Sequence, residues 1–205
     1  VLALYADPST REGGLRIIAG AARGRRLATI PRGEHQLRPT TDRVREALFS
    51  ILDARVELRG ARALDLFAGS GALGCEALSR GADSATFVER SRVAARTIQD
   101  NLRRIDRPQE PVLIGECAAI LRGLPAERPF DLVLMDPPYQ QGLLASTLQL
   151  LDQRPLLAPG ALVAAEHHRD EPPPDDLARL QLLTTRAYGD TRLSLWTFEP
   201  TESHP

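Results

Sequence analysis

Residues 62–89 constrain the architecture of this chain more than any other stretch. They read Arg-Ala-Leu-Asp-Leu-Phe-Ala-Gly-Ser-Gly-Ala-Leu-Gly, then a helical run, then Ser-Ala-Thr-Phe-Val-Glu89. An apolar strand that breaks at spaced glycines and resumes as helix and strand is a βαβ unit. It commits the chain to a parallel sheet with right-handed crossovers. Gly69, Gly71 and Gly74 satisfy G-x-G-x-x-G, and Glu89 stands 20 residues beyond Gly69. That spacing suits a ligand with a ribose, because glycines admit close backbone approach and the acid meets the hydroxyls. A nicotinamide enzyme fits the same pattern. Asp65 argues against it: a carboxylate four residues before Gly69 repels a pyrophosphate and attracts an ammonium group. S-Adenosylmethionine has an amino-acid end, a ribose and no phosphate, so Asp65, the glycine backbone and Glu89 form a consistent set for it.

The alternation continues along the chain. Strands are expected near 62–67, 84–89, 111–114, 130–135 and 160–166, and helices near 72–80, 91–105, 117–123, 142–152 and 174–180. Gln181–Tyr188 and Arg192–Phe198 flank Gly189-Asp190-Thr191 and read as a closing antiparallel hairpin. The expectation is an α/β, Rossmann-like domain over 41–199, with a mostly parallel seven-stranded sheet and helices on both faces. Residues 1–13 are expected to be flexible and 200–205 to fray.

A second motif carries the chemistry. Phe130-Asp-Leu-Val-Leu-Met-Asp-Pro-Pro-Tyr139 is a buried strand ending in an acid, two prolines and an aromatic. The four residues Asp136, Pro137, Pro138 and Tyr139 suit methylation of an exocyclic amine on a base. The lone pair of such an amine is delocalised into the ring, so a catalyst must hold both N–H groups while nitrogen pyramidalises. The carboxylate of Asp136 and the carbonyl of Pro137 are two acceptors; successive prolines stiffen the loop. Tyr139 offers a face to an unstacked base. Ligands of doubly wound sheets lie beyond the carboxyl ends of the strands, so Asp65–Gly71 and Asp136–Tyr139 are expected to meet.

Composition narrows the partners. All 26 basic residues are Arg, and the formal net charge is −1. Residues 11–45 hold nine Arg against three acids, a local +6, which leaves −7 for the remainder. A basic arm over 14–40 on an acidic body suggests contact with phosphates. Leu15–Ala19, Ala22–Arg26 and Leu27–Ile30 read as a small β-hairpin presenting Arg23, Arg25 and Arg26. A helix is expected to start at Thr41 or Asp42, with Val44, Ala47, Leu48, Ile51 and Leu52 forming its apolar stripe. Cys75 and Cys117 have no zinc spacing, and His167-His168 reads as surface or strand end, so no metal is expected. No apolar run is long enough to span a bilayer, and Val-Leu-Ala-Leu-Tyr lacks a basic leader region. A monomeric cytoplasmic protein without membrane partner is the expectation.

Asp-Leu-Phe-Ala-Gly-Ser-Gly-Ala-Leu-Gly, Glu-Ala-Leu-Ser-Arg-Gly-Ala, Asp-Pro-Pro-Tyr and the segment Arg-Pro-Thr-Thr-Asp-Arg-Val-Arg-Glu over 38–46 together resemble the bacterial 16S rRNA guanine-N2 methyltransferases. The resemblance covers residues 14–199 and implies a class I methyltransferase that modifies guanine 966, in ribosomal RNA numbering, of the small subunit. It implies S-adenosyl-L-methionine bound along Asp65, Phe67, Ala68, Gly69, Ser70 and Gly71, with Glu89 and Arg90 on the ribose side. Where relatives often place Asp or Asn against the adenine amine, this chain has Glu116 and the backbone of Cys117. The resemblance also sets Arg38, Thr40, Thr41 and Arg43 over the active-site mouth, facing 16S rRNA within an assembled or partly assembled 30S subunit. Asp-Pro-Pro-Tyr is shared with adenine-N6 methyltransferases, so that activity on RNA or DNA stays open.

Overall fold

A computed structural model describes residues 14–30 and 42–200. The chain runs α1 (Asp42–Asp53), β1 (Arg62–Leu66), α2 (Ala72–Ser79), β2 (Ser84–Glu89), α3 (Arg92–Arg104) and β3 (Val112–Ile114). It continues through α4 (Cys117–Gly123), β4 (Phe130–Met135), α5 (Leu143–Gln153), β5 (Leu157–His168), β6 (Leu180–Tyr188) and β7 (Thr191–Phe198). All seven strands join one sheet in the order β3-β2-β1-β4-β5-β7-β6. The first five pair in parallel, while β7 is antiparallel to both neighbours. β7 therefore threads between β5 and β6, and the hairpin leaves β6, not the last strand in sequence, on the edge.

The central strands β1, β4 and β5 are apolar on both faces because helices cover both, whereas edge strand β6 is largely exposed. Leu132 and Leu134 of β4 join Phe49 and Leu52 of α1, Ile98 of α3 and Ile17 of the N-terminal segment in one core. Val133 and Met135 point the other way, to Leu121 of α4, Leu148 of α5 and Trp196 of β7. The expected stripe of α1 is buried or partly buried, and fully buried Phe49 adds to it.

Two expectations are corrected. The helix over 174–180 does not form. Pro172, Pro173 and Pro174 lack N–H donors, and the carboxylate of buried Asp152 accepts from Ala178, Arg179 and Leu180 at 3.0, 2.7 and 2.7 Å. Those donors are satisfied without a helical turn, and β6 starts directly. β5 begins at Leu157, ahead of the expected 160, with a register irregularity opposite Phe130 and Leu132. The N-terminal hairpin forms in short, irregular shape: around the antiparallel bridge of Arg16 and Arg26, Ile17 N donates to Arg25 O, Gly24 N to Ile17 O and Leu27 N to Leu15 O.

Side chains of the body hold this hairpin in place. Fully buried Glu76 on α2 accepts from the amides of Ile18 and Ala19 at 2.8 and 3.0 Å. Ser79 bonds Ala22 N and Ala19 O. Gly20 lies so close to α2 that a Cβ there would sit 1.8 Å from the Ser79 carbonyl oxygen. Residues 14–30 are thus seated on the helix that follows the glycine turn.

Candidate active site

The sheet order reverses between β1 and β4, and the crevice at that reversal is where such sheets take ligands. Leu66 is in register with Met135, so the glycine turn and Asp136 leave adjacent strands at the same level. The two motifs separated by 65 residues meet there, as their strand-end positions require.

The turn after β1 is built from left-handed residues. Phe67, Gly69 and Gly71 have φ of 56°, 56° and 76°. Ala68 N donates to Val88 O at 3.1 Å, Gly71 N to Ala68 O at 2.6 Å, and Cys75 N to Gly71 O at 2.9 Å. Gly74 serves a different need: a Cβ there would fall 2.4 Å from Cε1 of buried Phe87 and 3.1 Å from Oδ2 of Asp65. Asp65 lies under this turn, only 1% exposed, and its Oδ2 accepts from Gly74 N at 2.8 Å. Burial pushes its carboxyl well above the ordinary range, reinforced by the charges of Asp136 and Glu89 and opposed by the Gly74 bond.

Glu89 ends β2 and braces the turn from the side. Its Oε2 accepts from Gly69 N at 2.9 Å and its Oε1 from Ser91 N at 2.8 Å. Each carboxylate oxygen retains capacity for a further hydroxyl donor. Ser70, partly buried, gives its carbonyl to Asn101 Nδ2 at 2.8 Å. Arg90 is exposed beyond the strand. At the end of β3, Glu116 is exposed at the head of α4 and Ile114 is 45% exposed beside it. Cys117 is buried and bonds Thr147; burial pushes its thiol up to about 12, which makes it a poor nucleophile at neutral pH.

On the other strand, Asp136 and Pro138 are half-buried, and Pro137 is buried. Tyr139 donates its hydroxyl to Glu166 Oε1 at 3.3 Å, and its ring centroid lies 5.6 Å from that of His168, tilted by 49°. Burial and the adjacent Glu166 carboxylate raise the phenol, so it stays protonated and donates. Ala165 is in register with Met135, which sets Glu166 beside Asp136 at the next strand end.

Of the expected RNA contacts, Arg23, Arg26 and Arg43 are exposed. Arg25 is engaged within the chain, with Asp106 at 2.5 Å and the Arg104 carbonyl at 2.7 Å. Arg38, Thr40 and Thr41 fall outside the described residues. His167 is buried at 2%, its Nε2 2.8 Å from Ser194 Oγ, and burial lowers its pKa; it is not the surface residue one of the two readings allowed. Among the described residues no cluster of three or more His, Cys, Asp or Glu could hold a metal, and no helix is long and apolar enough to cross a membrane.

Sequence reasoning missed Glu166, His168 and Asn101. Asn101 is fully buried on α3; its amide bonds the Ser70 carbonyl and both backbone groups of Ala28, at 2.6 Å from Ala28 N and 3.0 Å to Ala28 O. It joins the N-terminal segment to the glycine turn. A polar residue inside an amphipathic helix was the available signal, though it reads equally as solvent-facing.

A seven-stranded sheet of this order, with a glycine turn and an Asp-Pro-Pro-Tyr loop on adjacent strand ends, is the architecture of the class I, Rossmann-like methyltransferases. The model of the family described as Conserved hypothetical protein 95 matches residues 15–197, and the chain belongs to that family. It is 38% identical over 189 residues to the ribosomal RNA small subunit methyltransferase D of Escherichia coli K12, covering 91% of each chain. The solved structure of the candidate methyltransferase yhhF from Escherichia coli superposes with a TM-score of 0.79 at 38% identity, over 91% of this chain and 99% of that one. A more distant RNA methyltransferase from Salinibacter ruber, solved with S-adenosyl-L-homocysteine, shares the fold at 15% identity and a TM-score of 0.57, over 82% of this chain and 97% of that one.

Proposed function

We propose that this protein transfers a methyl group from S-adenosylmethionine to the exocyclic N2 of a guanine in small-subunit ribosomal RNA. The expected position is guanine 966, and the expected substrate is an assembled or partly assembled 30S particle. The observation that carries the reading is the convergence of the glycine turn and Asp136–Tyr139 on adjacent strand ends. The relatives named as rRNA small subunit methyltransferases support RNA as the acceptor.

The residues fit the cofactor. Glu89 has oxygen lone pairs left for ribose hydroxyls after holding Gly69 and Ser91. Asp65 supplies negative potential beneath the turn, suited to an ammonium group and hostile to a pyrophosphate. Glu116 and the Cys117 backbone stand where an adenine amine would be met, with Ile114 as an apolar neighbour. Bound S-adenosylmethionine supplies an electrophilic methyl on its sulfonium.

The chain supplies orientation. Asp136 and the Pro137 carbonyl accept the two amine hydrogens, so the nitrogen lone pair turns toward the methyl group. Tyr139 stacks on the flipped base, its hydroxyl tethered to Glu166. Once methylated, the nitrogen is cationic and acidic, and its proton leaves to Asp136 or to water.

Labelled methyl transfer to unmodified 30S particles and to naked 16S rRNA, followed by nucleoside mapping, tests the reading. N2-methylguanosine at one position is expected; N6-methyladenosine would replace guanine by adenine, and label on neither would overturn the reaction. Asp136→Ala is expected to lower turnover by at least a hundredfold, the usual lower range for a group acting on the reacting atom. Cofactor affinity in that variant stays near wild type, as equilibrium dialysis will show.

A further inference from the structure

The outer face of α3 is a row of arginines to which the site described above assigns no role. Arg92, Arg96 and Arg103 recur at i, i+4 and i+11, with Gln99 at i+7, and all four are exposed. At a rise of 1.5 Å per residue the row spans about 16 Å. Ala94, Ala95, Ile98 and Leu102 occupy the opposite face and are buried. On the far side of the sheet, α5 carries no arginine in its 11 residues and α4 carries one, Arg122, so neither presents such a row.

The two ends of the row are anchored to functional parts. Its beginning follows Ser91, whose N–H is held by Glu89 together with that of Gly69, at the rim of the cofactor turn. At its other end, Arg25 donates to the Arg104 carbonyl at 2.7 Å and Arg104 donates to the Arg26 carbonyl at 3.3 Å. The row therefore runs on into the basic loop of the N-terminal segment. Two nearby acids are spent locally, Asp100 on Arg103 and Asp106 on Arg25, each at 2.5 Å. Arg23, Arg26, Arg92, Arg96 and Arg104 have no ion-pair partner among the described residues.

We propose that this face of α3 is a track for the ribose-phosphate backbone of the substrate RNA, leading from the rim of the active site to the basic loop. Unpaired guanidinium groups on a rigid helix are suited to phosphate oxygens, because each presents a planar fork of donors without an acid to displace. The track holds RNA without reading its sequence, leaving selection of the base to the Asp136–Tyr139 loop. The inference rests on RNA being the acceptor.

The test is filter binding of unmodified 16S rRNA between 50 and 200 mM salt by the triple variant R92Q/R96Q/R104Q. Each lost phosphate contact flattens the log affinity against log salt plot by about 0.7–0.9, so a loss of about 2 in slope is expected, with about tenfold or greater weakening at low salt. Cofactor binding and the melting temperature stay at wild-type values. The control R122Q/R186Q changes exposed arginines off the row and is expected to bind as wild type. Unchanged affinity and slope in the triple variant, or an equal loss in the control, overturns the track. The two proposals fail separately. A wild-type protein that binds RNA through this row yet transfers no methyl overturns the reaction and leaves the track standing. Methyl transfer with an RNA KM unmoved by the triple substitution does the reverse.

Discussion

In the proposed function, Asp65 serves binding at the expense of stability. Its carboxyl is raised by burial, so the folded state holds the proton more tightly than the unfolded chain, where the value is about 3.9. Below that pH both states are protonated and nothing is lost. As pH rises, the unfolded state ionises first, and stability falls until the folded carboxyl also ionises. Asp65→Asn keeps an oxygen acceptor for Gly74 N and removes the titration. The variant without ligand is therefore expected to match wild type near pH 4 and to melt higher at pH 7. The same change is expected to weaken S-adenosylmethionine binding by about tenfold, the worth of one charged hydrogen bond of about 1.5 kcal/mol. Melting curves across pH and calorimetric titration measure the two effects independently; a lower melting temperature at pH 7 would refute the buried-charge account.

At the scale of elements, the unit β1–turn–α2–β2 depends on a missing side chain. Gly74 lets α2 press against Phe87, and the space for a methyl group is already filled by a ring that is fully buried. Gly74→Ala gains about 1 kcal/mol of helix propensity but must displace that ring or the Asp65 carboxylate. Overpacking of this kind costs about 1–3 kcal/mol, so a net loss is expected as a lower urea midpoint with an unchanged m value. The βαβ alternation was legible in the sequence because strand and helix periodicities are local, and so was the meeting of two motifs that both stand at strand ends. The prolines over 171–176 mark a loop in the sequence, but the irregular segment 177–179 that follows was not legible. Its backbone donors are taken by Asp152, remote in sequence, and no local pattern announces such a partner.

For the whole molecule, the consequential feature is the attachment of the N-terminal segment to the side of the sheet that carries the glycine turn. Glu76 and Ser79 grip residues 18–22, and Asn101 ties Ala28 to Ser70. Asn101→Ala leaves both backbone groups of partly buried Ala28 without this partner, at up to about 1–3 kcal/mol for each group that water does not reach. A melting temperature lowered by several degrees is expected, at roughly 2–4 °C per kcal/mol for a chain of this size. The stabilisation conferred by saturating S-adenosylmethionine is also expected to shrink, since the turn proposed to meet the ligand is loosened at Ser70. An unaltered ligand-induced shift would confine Asn101 to a structural role.

The sequence by itself determined the doubly wound class, the glycine turn, the Asp-Pro-Pro-Tyr loop and the arginine-rich N-terminus, because each is written in neighbouring residues and their spacing. The tertiary structure alone decided that β7 lies inside the sheet, that Arg25 bonds the Arg104 carbonyl on the surface, that Arg45 turns inward to the Arg16 carbonyl, and that Glu166 stands beside Asp136. It also aligned the arginines of α3 with those of the N-terminal loop. The physical reason is that each depends on a partner remote in sequence: strand neighbours and the groups that compensate a desolvated polar side chain are brought near only by folding.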